Sequence, residues 1–503
     1  LRLVGSEMCI RDSDWTASTS DYDEKMSLCI GSNTIPEIMN VNATQYRALL
    51  KYDMIQPLDK YFDDYASDAL KSYVKSGGEE LQKCITNEDG ELMAIPAPNL
   101  TAGGVNEMWI RQDWLDALGL DVPRTWDELA EVAKAFVTRD PDGNGENDTI
   151  GILGPGNSDH MNAVGGNQFG LDPLFSCFQS YPQYWLKSED GSVEYGSIQP
   201  ETKTALENIS KLYADGVIDP ETLVRSDSKE PLLAGKVGIF FGPWWCAYTF
   251  ADTTLSGSAD WRAYFTPLSE DGKYYTHMAE PTTQYVVASK DCKNPEAAFK
   301  IINYLVANEQ KWVEEGVTST EMGTGDFYPL YNTYDNADEI EKSYEALTKY
   351  LAGDISMDDV DFSTHKLLKN DMEAVTKLKK KPYDDFSLKY WNLDSDLAKT
   401  NLPRLVAIMV GDAPLVNEEY VPVYNAYNGQ TETMEAKWAN LKKMEEETFA
   451  KIIMGKADIS EFDTFVKNWK NQGGDQILKE INDELSKYCL LYTSDAADDL
   501  IGV

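Results

Sequence analysis

The chain has 503 residues, of which 42% are hydrophobic, and a formal net charge of −40. This length exceeds one ordinary hydrophobic core, and the apolar content is that of a folded protein, so we expect two or three domains rather than disorder. The negative charge, with no basic patch among aromatic residues, predicts no nucleic-acid partner. No apolar run reaches the roughly 18 residues that a membrane-spanning helix needs.

Both ends of the chain resemble translated adapter DNA from a sequencing library. The stretch MCIRDS at residues 8–13 can be encoded by ATGTGTATAAGAGACAG, and the reverse complement of that DNA in another frame encodes CLLYT, which stands at residues 489–493. We therefore interpret residues 1–13 and 489–503 as adapter-derived artefacts and leave them out of the fold prediction. We expect a signal and lipidation segment upstream of residue 14, outside this sequence.

Helix and strand signals alternate between the two ends, which is typical of α/β architecture. The clearest predicted helix is Trp126–Thr138, because Thr125 and Glu128 form a capping box ahead of apolar residues at helical spacing. The other predicted helices begin after Pro200 and at Pro295, and span Met434–Met454 and Glu461–Asn471. The predicted strands are Met108–Arg111, Val237–Phe241 and Tyr285–Ala288. Residues 320–430 show no clear periodicity.

The loop after the clearest helix alternates oxygen-bearing side chains as a calcium loop does. Its sequence, DPDGNGEND at residues 140–148, matches D-x-[DN]-x-[DN]-G. Calcium prefers six to eight oxygen ligands, so we expect a structural Ca²⁺ ion here. The predicted ligands are Asp140, Asp142, Asn144, Asp148 and the carbonyl of Glu146. The twelfth position is Gly151 instead of the bidentate glutamate, and the alternative is a polar turn between a helix and a strand.

Two adjacent tryptophans at a predicted strand end are the strongest candidates for ligand contact. The run from Val237 ends at Pro243, and Trp244 and Trp245 follow at once. Strand ends line the ligand crevices of α/β folds, and an indole offers a sugar ring a flat apolar face and one N–H donor. Successive side chains of an extended chain point to opposite faces, so we expect at least one exposed indole. The alternative is that both are core aromatics.

The chain contains no recognisable catalytic motif. Its three histidines, His160, His277 and His365, stand in no H-E-x-x-H motif, and the chain has no G-x-S-x-G elbow, Walker A loop or dinucleotide fingerprint. Glycoside hydrolysis needs only two carboxylates, but with 85 acidic residues the candidate pairs are too many to be informative. We therefore predict that the protein is not an enzyme.

Several segments, in their order and spacing, resemble one known family. They are LCIGSNTIPE at 28–37, GELMAIP at 90–96, MWIRQDWL at 108–115, PRTWDE at 123–128, GKVG at 235–238, GPW at 242–244, YVVAS at 285–289 and NPE at 294–296. Together with the loop at 140–148, they are similar to the extracellular solute-binding proteins of ABC importers. The similarity is to the carbohydrate-binding group, family 1, which includes maltose-binding and alginate-binding proteins. The first segment departs from the family, because Glu37 stands where aspartate is usual.

The resemblance implies an α/β, two-lobed, periplasmic-binding-protein-like (type II) fold with hinge strands and a ligand cleft between the lobes. Lobe 1 would comprise residues 14–107, truncated at its N-terminus, and 286–345. Lobe 2 would comprise residues 108–285 and the mostly helical residues 346–488. Binding would then close the hinge by a shift of population, because the closed state alone touches the ligand from both lobes.

The resemblance also assigns a sugar-stacking role to Trp244. The further candidate ligand-binding residues are Trp245, Tyr248, Asn99, Trp185, Trp391 and Arg111. Asn99 offers amide donors and acceptors that suit hydroxyl groups. Trp185 is either a second stacking platform or a packing residue. Arg111 contacts either an acidic ligand or Asp113 of its own segment, and we favour the structural pair.

We therefore predict an extracellular, cell-surface lipoprotein that captures a carbohydrate, by preference an oligosaccharide. It would deliver this ligand to the permease subunits of an ABC transporter. We expect a monomer whose only link to the membrane is the lipid anchor expected upstream of residue 14. The alternatives are a solute-binding protein for a peptide or another non-sugar solute, and a secreted carbohydrate-active enzyme.

Overall fold

The computed structural model describes residues 19–87, 89–156, 168–314, 330, 334–362, 365 and 367–498, with the backbone alone at 19–20, 309–314 and 487–498. Of the residues predicted to be adapter-derived, 1–13 and 499–503 lie outside the described residues, as does His160, whereas the backbone of 489–498 continues the last helix. The chain forms two compact units. Unit 1 comprises Leu1–Leu70, Ile85–Ala97 and Thr283–Tyr334, and unit 2 comprises Lys71–Cys84, Pro98–Thr282 and Asp335–Val503.

The units differ from the predicted lobes at their boundaries. Residues 71–84, 98–107 and 335–345, assigned to lobe 1 from the sequence, belong to unit 2. Two hydrogen bonds join the first and third of these segments to each other. The Ser72 hydroxyl lies 3.0 Å from Asn336 Oδ1, and the Ala337 amide donates to the Ser76 hydroxyl at 2.7 Å, so the segment at 335–337 is tied to the helix that contains both serines.

Helices make up most of the described chain. All the predicted helices are present, the clearest with its predicted bounds and the others displaced by one or two residues at an end. The helices are α1 (Thr19–Gly31), α2 (Ala43–Lys51), α3 (Asp59–Tyr65), α4 (Asp68–Ser76), α5 (Gly78–Ile85), α6 (Gln112–Leu118), α7 (Trp126–Thr138), α8 (Asp172–Ser176), α9 (Pro200–Ala214), α10 (Lys229–Leu233), α11 (Ala251–Leu255), α12 (Glu296–Glu314), α13 (Glu339–Ala352), α14 (Leu368–Leu378), α15 (Asp396–Val406), α16 (Ala413–Asn417), α17 (Glu432–Ile453), α18 (Glu461–Trp469) and α19 (Asp475–Asp498). The capping box that predicts α7 is confirmed, because the Glu128 amide donates to Thr125 Oγ1 at 3.3 Å and the Thr125 amide donates to Glu128 Oε2 at 3.1 Å. No helix in the described ranges is both long and apolar enough to cross a membrane.

The strands form small sheets within this helical framework. They are β1 (Ile38–Asn42), β2 (Ile95–Pro98), β3 (Glu107–Arg111), β4 (Ile150–Ile152), β5 (Trp185–Lys187), β6 (Val193–Tyr195), β7 (Val237–Gly242), β8 (Trp261–Tyr264), β9 (Tyr274–His277), β10 (Thr282–Ala288) and β11 (Tyr420–Val423). One sheet has the order β1-β10-β2, and the largest has the order β4-β7-β3-β8. In the latter, β7 runs parallel to β4 and antiparallel to β3. All three predicted strands are confirmed as β3, β7 and β10.

The four-stranded sheet of unit 2 is buried on both faces. Trp109 and Phe240 pack into one hydrophobic cluster, whereas Met108, Ile110 and Phe241 pack into another. Alternate residues of a strand point to opposite faces, so both faces of this sheet carry a core. This explains why β7 is apolar along its whole length instead of alternating with polar residues. The sheet thus holds the chain that follows β7 against a packed layer of aromatic side chains.

Candidate functional site

The segment that follows β7, Trp244–Tyr248, is a short 3₁₀ helix in unit 2. Trp244 is buried, with 5% of its surface exposed, Trp245 is half-buried, and Tyr248 is 46% exposed. The prediction that Trp244 presents an exposed ring is therefore wrong for this structure. The prediction assumed extended backbone after Pro243, but in a 3₁₀ helix side chains repeat every three residues and do not alternate. The exposed aromatic surface of this segment belongs to Tyr248 and, in part, to Trp245.

The position of Trp244 is fixed by residues far away in sequence. A π-helical turn at Ala407–Gly411 packs against the 3₁₀ helix. A Cβ atom on Gly411 would lie 2.7 Å from the carbonyl oxygen of Trp244, so only glycine permits this approach. The Trp244 ring lies edge-on to the Tyr248 ring, with the ring centres 6.5 Å apart. Trp244 is thus in contact with the π-helical turn through its backbone and with Tyr248 through its ring.

Several buried polar groups near Trp244 have no hydrogen-bond partner within the described residues. They are the indole Nε1 of Trp244 and both carboxylate oxygens of Glu107 and of Asp412. Glu107 is paired with Gly242 in the sheet, two residues before Trp244, and Asp412 directly follows the glycine that contacts Trp244. Burial, and after it the nearby carboxyl group of Asp412, raises the pKa of Glu107 well above its usual range. Burial, and after it the carboxyl group of Glu341, raises the pKa of Asp412 well above its usual range. Buried groups of this kind are normally paired, so this part of unit 2 has unused hydrogen-bonding capacity.

Arg404 on α15 is a candidate that the sequence did not indicate. Its Nε donates to both oxygens of Asp371, at 3.0 and 2.9 Å, while its buried Nη2 has no partner in the described part of the chain. Burial lowers its pKa, but Asp371 and then Tyr248 raise it, and the net direction is upward. The guanidinium group is therefore charged and lies within electrostatic reach of Tyr248. Residues 320–430 carried no pattern from which this could have been predicted.

Asn99 and Arg111 are both held by their surroundings. The Asn99 side-chain amide donates to the Glu280 carbonyl at 2.8 Å, and its backbone N–H donates to the Pro281 carbonyl at 2.8 Å. Arg111 forms a bidentate pair with Asp113, at 2.8 Å from Nε and 2.5 Å from Nη2. Its remaining donors reach backbone carbonyls, so the favoured structural pair is confirmed. Asn99 remains a candidate through its side-chain oxygen.

The tryptophans proposed as further sugar platforms lie in the cores of unit 2. Trp185 is 4% exposed and stacks on Trp438, with the ring centres 5.5 Å apart. Trp391 is 2% exposed, and its indole N–H donates to the Phe386 carbonyl at 3.1 Å. For Trp185 the structure therefore favours packing, the alternative left open by the sequence, and neither ring offers a free face. The partner of Trp185 is distant in sequence, so its burial could not be predicted from neighbouring residues.

The loop at residues 140–148 brings together some of the predicted calcium ligands. Asn144 Nδ2 lies 2.9 Å from Asp142 Oδ2 and 3.3 Å from Asp148 Oδ1. The two oxygens of Asp140 accept hydrogen bonds from the backbone N–H groups of Asn144 and Gly145, at 3.1 and 3.0 Å. Among the described residues, no group of three or more His, Cys, Asp or Glu side chains is arranged around a common metal position. The donor types fit calcium, but the side chains are held by hydrogen bonds within the loop.

A lysine already balances part of the negative charge of this loop. Lys236 Nζ lies 2.8 Å from Asp148 Oδ2, and this hydrogen bond lowers the pKa of Asp148. Burial, together with Asp140 and Asp148, raises the pKa of Asp142, although the Asn144 N–H opposes this shift. The fifth predicted ligand, Glu146, donates its backbone N–H to Asn144 Oδ1 at 2.6 Å.

The fold matches solved structures of solute-binding proteins. One of them is the S. pneumoniae ABC-transporter substrate-binding protein FusA, solved as an EF-hand mutant in complex with fructo-nystose. It superposes with a TM-score of 0.56 at 19% identity, over 95% of this chain and 93% of that one. A TM-score in this range at such low identity shows the fold alone. The fold is therefore the α/β, periplasmic-binding-protein-like class built from two units, as predicted.

The sequence comparison gives the family. The model of the bacterial extracellular solute-binding protein family matches residues 14–312, and the chain belongs to this family. The fructooligosaccharide ABC transporter substrate-binding protein FusA of Streptococcus pneumoniae serotype 4 is 30% identical over 45% of this chain and 43% of its own length. The polygalacturonan/rhamnogalacturonan-binding protein YtcQ of Bacillus subtilis is 24% identical over 95% of this chain and 85% of its own. The sequence match thus spans less than half of the length of FusA. The family and these relatives are binding proteins rather than enzymes.

Proposed function

We propose that this protein captures an oligosaccharide outside the cell and delivers it to the permease subunits of an ABC transporter. The observation that carries the proposal is the Trp244–Tyr248 segment, where an exposed tyrosine ring lies beside a buried indole N–H that has no partner in the described residues. An aromatic face and a free donor are what a sugar ring with hydroxyl groups needs. Membership of the solute-binding family and the sugar ligands named for FusA and YtcQ support it.

The test is a thermal-shift screen of the purified chain against neutral oligosaccharides, oligogalacturonides and short peptides. A ligand that binds only the folded state raises Tm with its concentration. We expect at least one oligosaccharide to raise Tm, and no peptide to do so. A peptide hit without a sugar hit would favour the alternative of a solute-binding protein for a non-sugar ligand. Release of reducing ends from a polysaccharide would favour a secreted enzyme.

Replacing Tyr248 by alanine is expected to weaken oligosaccharide binding about tenfold, because the ring supplies the exposed aromatic face. Isothermal titration with the best sugar of the screen measures this change. The matched control is Tyr304→Ala, which removes an even more exposed tyrosine (61%) from unit 1 and should leave the Kd unchanged. Equal Kd values for Tyr248→Ala and the unchanged protein would mean that the Trp244–Tyr248 segment does not contact the sugar.

Calcium is proposed as a structural ion of the loop at residues 140–148. Carboxylate and amide oxygens are ligands that Ca²⁺ prefers, and a bound ion would replace hydrogen bonds within the loop. We expect EDTA to lower the Tm of the purified chain and added Ca²⁺ to restore it. Asp142→Ala should abolish this response, whereas Asp190→Ala, in another exposed turn, should retain it. A Tm that is independent of chelator would contradict a bound ion.

Anchoring by lipid at the cell surface is part of the same proposal. Its support is the extracellular solute-binding family and the name of a relative, Lipoprotein LipO of Bacillus subtilis. Detection of the natural protein in the detergent phase of fractionated cells, and its release by lipase treatment, would test the anchor. A monomer is likewise proposed, and light scattering measures it.

A further inference from the structure

Arg404 differs from two other paired arginines of unit 2, Arg111 and Arg225, because one of its guanidinium nitrogens has no hydrogen-bond partner in the described residues. Arg225 donates from Nε and Nη2 to the two oxygens of Asp219, at 2.9 and 3.2 Å, and its Nη1 lies 3.1 Å from Glu221. Arg111 is engaged through Nε, Nη1 and Nη2, as described above. Arg404 meets Asp371 through Nε alone, and its buried Nη2 has no partner in the described residues. A buried cationic donor without an acceptor is costly, so such a group calls for an acceptor that comes from elsewhere.

The fold places this donor beside the candidate ligand segment. Helix α15, which carries Arg404, leads directly into the π-helical turn at Ala407–Gly411, and both pack against the Trp244–Tyr248 segment. The carboxylate of Asp371 and then the Tyr248 phenol raise the pKa of Arg404, in keeping with this packing. Asp371 fixes the orientation of the guanidinium group, because its two oxygens both accept from Nε.

We propose that Arg404 is a ligand-contact residue that determines specificity, and that its Nη2–H group donates a hydrogen bond to an oxygen of the ligand held at Tyr248. This inference rests on the proposed function and specifies one residue and one ligand class for it. The buried donors available to the ligand at this place are then the Trp244 indole N–H and the Arg404 guanidinium group.

The charges around Arg404 favour an uncharged ligand oxygen. Asp371 pairs with the guanidinium group directly, and Glu339 also lies close enough to raise the pKa of Arg404. The carboxylate of Asp371 thus already balances the one positive charge of Arg404, and no surplus positive charge remains to offset an added carboxylate of a uronate. A hydroxyl group accepts the same hydrogen bond without bringing a charge into a buried place. The ligand class is accordingly a neutral oligosaccharide.

The experiment measures binding of 1-kestose, maltotriose, xylotriose and trigalacturonate to the full chain and to two variants by isothermal titration. We expect one of the three neutral sugars to bind and trigalacturonate to bind less tightly. Arg404→Lys should weaken that neutral sugar about tenfold or more, since lysine cannot reach Asp371 and the ligand together. The matched control, Arg225→Lys, disrupts an equally buried pair with no free donor and should change the Kd less than twofold.

The outcomes separate this inference from the proposed function. Tighter binding of trigalacturonate than of every neutral sugar would overturn the ligand class while leaving oligosaccharide capture intact. Unchanged sugar affinity in Arg404→Lys would overturn the role of Arg404. If no saccharide binds, the proposed function fails, and this inference fails with it. Should Arg404→Lys fold poorly, as judged by its Tm beside that of Arg225→Lys, Arg404→Gln serves as the second variant with the same expected loss.

Discussion

Gly411→Ala is expected to lower the free energy of unfolding by about 3 kcal/mol and to weaken ligand binding at the same time. The added Cβ would lie 2.7 Å from the carbonyl oxygen of Trp244, 3.0 Å from its Cα and 2.9 Å from Cζ2 of Trp109. Two of these contacts are with backbone, so no change of rotamer relieves them. The Trp244–Tyr248 segment must move, and the exposed Tyr248 ring moves with it. Urea denaturation gives the stability change, and titration with the best oligosaccharide gives the affinity.

Gly103→Ala is the control for this substitution. A Cβ at residue 103 meets only Leu100 Cβ at 3.8 Å, which is an ordinary contact distance, so its denaturation curve and Kd should match those of the unchanged protein. If both glycine variants gave the same curve and the same Kd, the π-helical turn would not hold the segment in place.

Glu445→Gln is expected to remove one contribution of about 3 kcal/mol to the pH dependence of stability. Glu445 is fully buried in unit 2 and accepts hydrogen bonds at 2.8 Å from Tyr195 and from Ser197. Burial raises its pKa from 4.5 to about 7, although both hydroxyl groups oppose this shift. The folded state therefore binds a proton more tightly than the unfolded state, and stability falls as pH rises from the unfolded pKa to the folded one. A shift of this size corresponds to about 3 kcal/mol between pH 4.5 and pH 8.

The measurement is the difference in unfolding free energy between the protein and the Glu445→Gln variant at several pH values. This difference should change steeply between about pH 4.5 and pH 7 and be flat above. Burial lowers the pKa of His277 to about 3, so His277 makes the free energy of unfolding rise with pH. Both proteins contain His277, and its contribution cancels in the difference. Glu447→Gln, on the exposed side of the same helix, should show no such slope. A constant difference across the range would mean that Glu445 does not carry the proton.

The sequence predicted the elements whose signals are local. The capping box of α7, the Pro200 start of α9 and the apolar run of β7 each depend on a few adjacent residues, and the structure has all three elements at the predicted places. The family resemblance supplied the fold class, which periodicity alone could not. The calcium ligands and most of the candidate ligand-binding residues stay predictions.

The predictions that the structure does not bear out concern tryptophan side chains that are buried by other parts of the chain. Trp244 is covered by a turn that contains Gly411, and Trp185 stacks on Trp438, so neither burial can be read from the neighbouring sequence. Trp391 packs inside residues 320–430, where the helices have weak or interrupted patterns, such as the proline at position 403 within α15. Arg404 lies in that same helix, and its unused donor becomes visible only when Asp371 is placed beside it.

The sheet of unit 1 imposes an order on the folding of the nascent chain. Its outer strands, β1 and β2, are synthesised early, but the strand that lies between them, β10, comes from Thr282–Ala288. Until the ribosome has produced these residues, the two early strands have no middle strand to join, and this long-range pairing is intrinsically slow. This part of unit 1 therefore cannot complete its sheet until most of unit 2 between β2 and β10 has been synthesised.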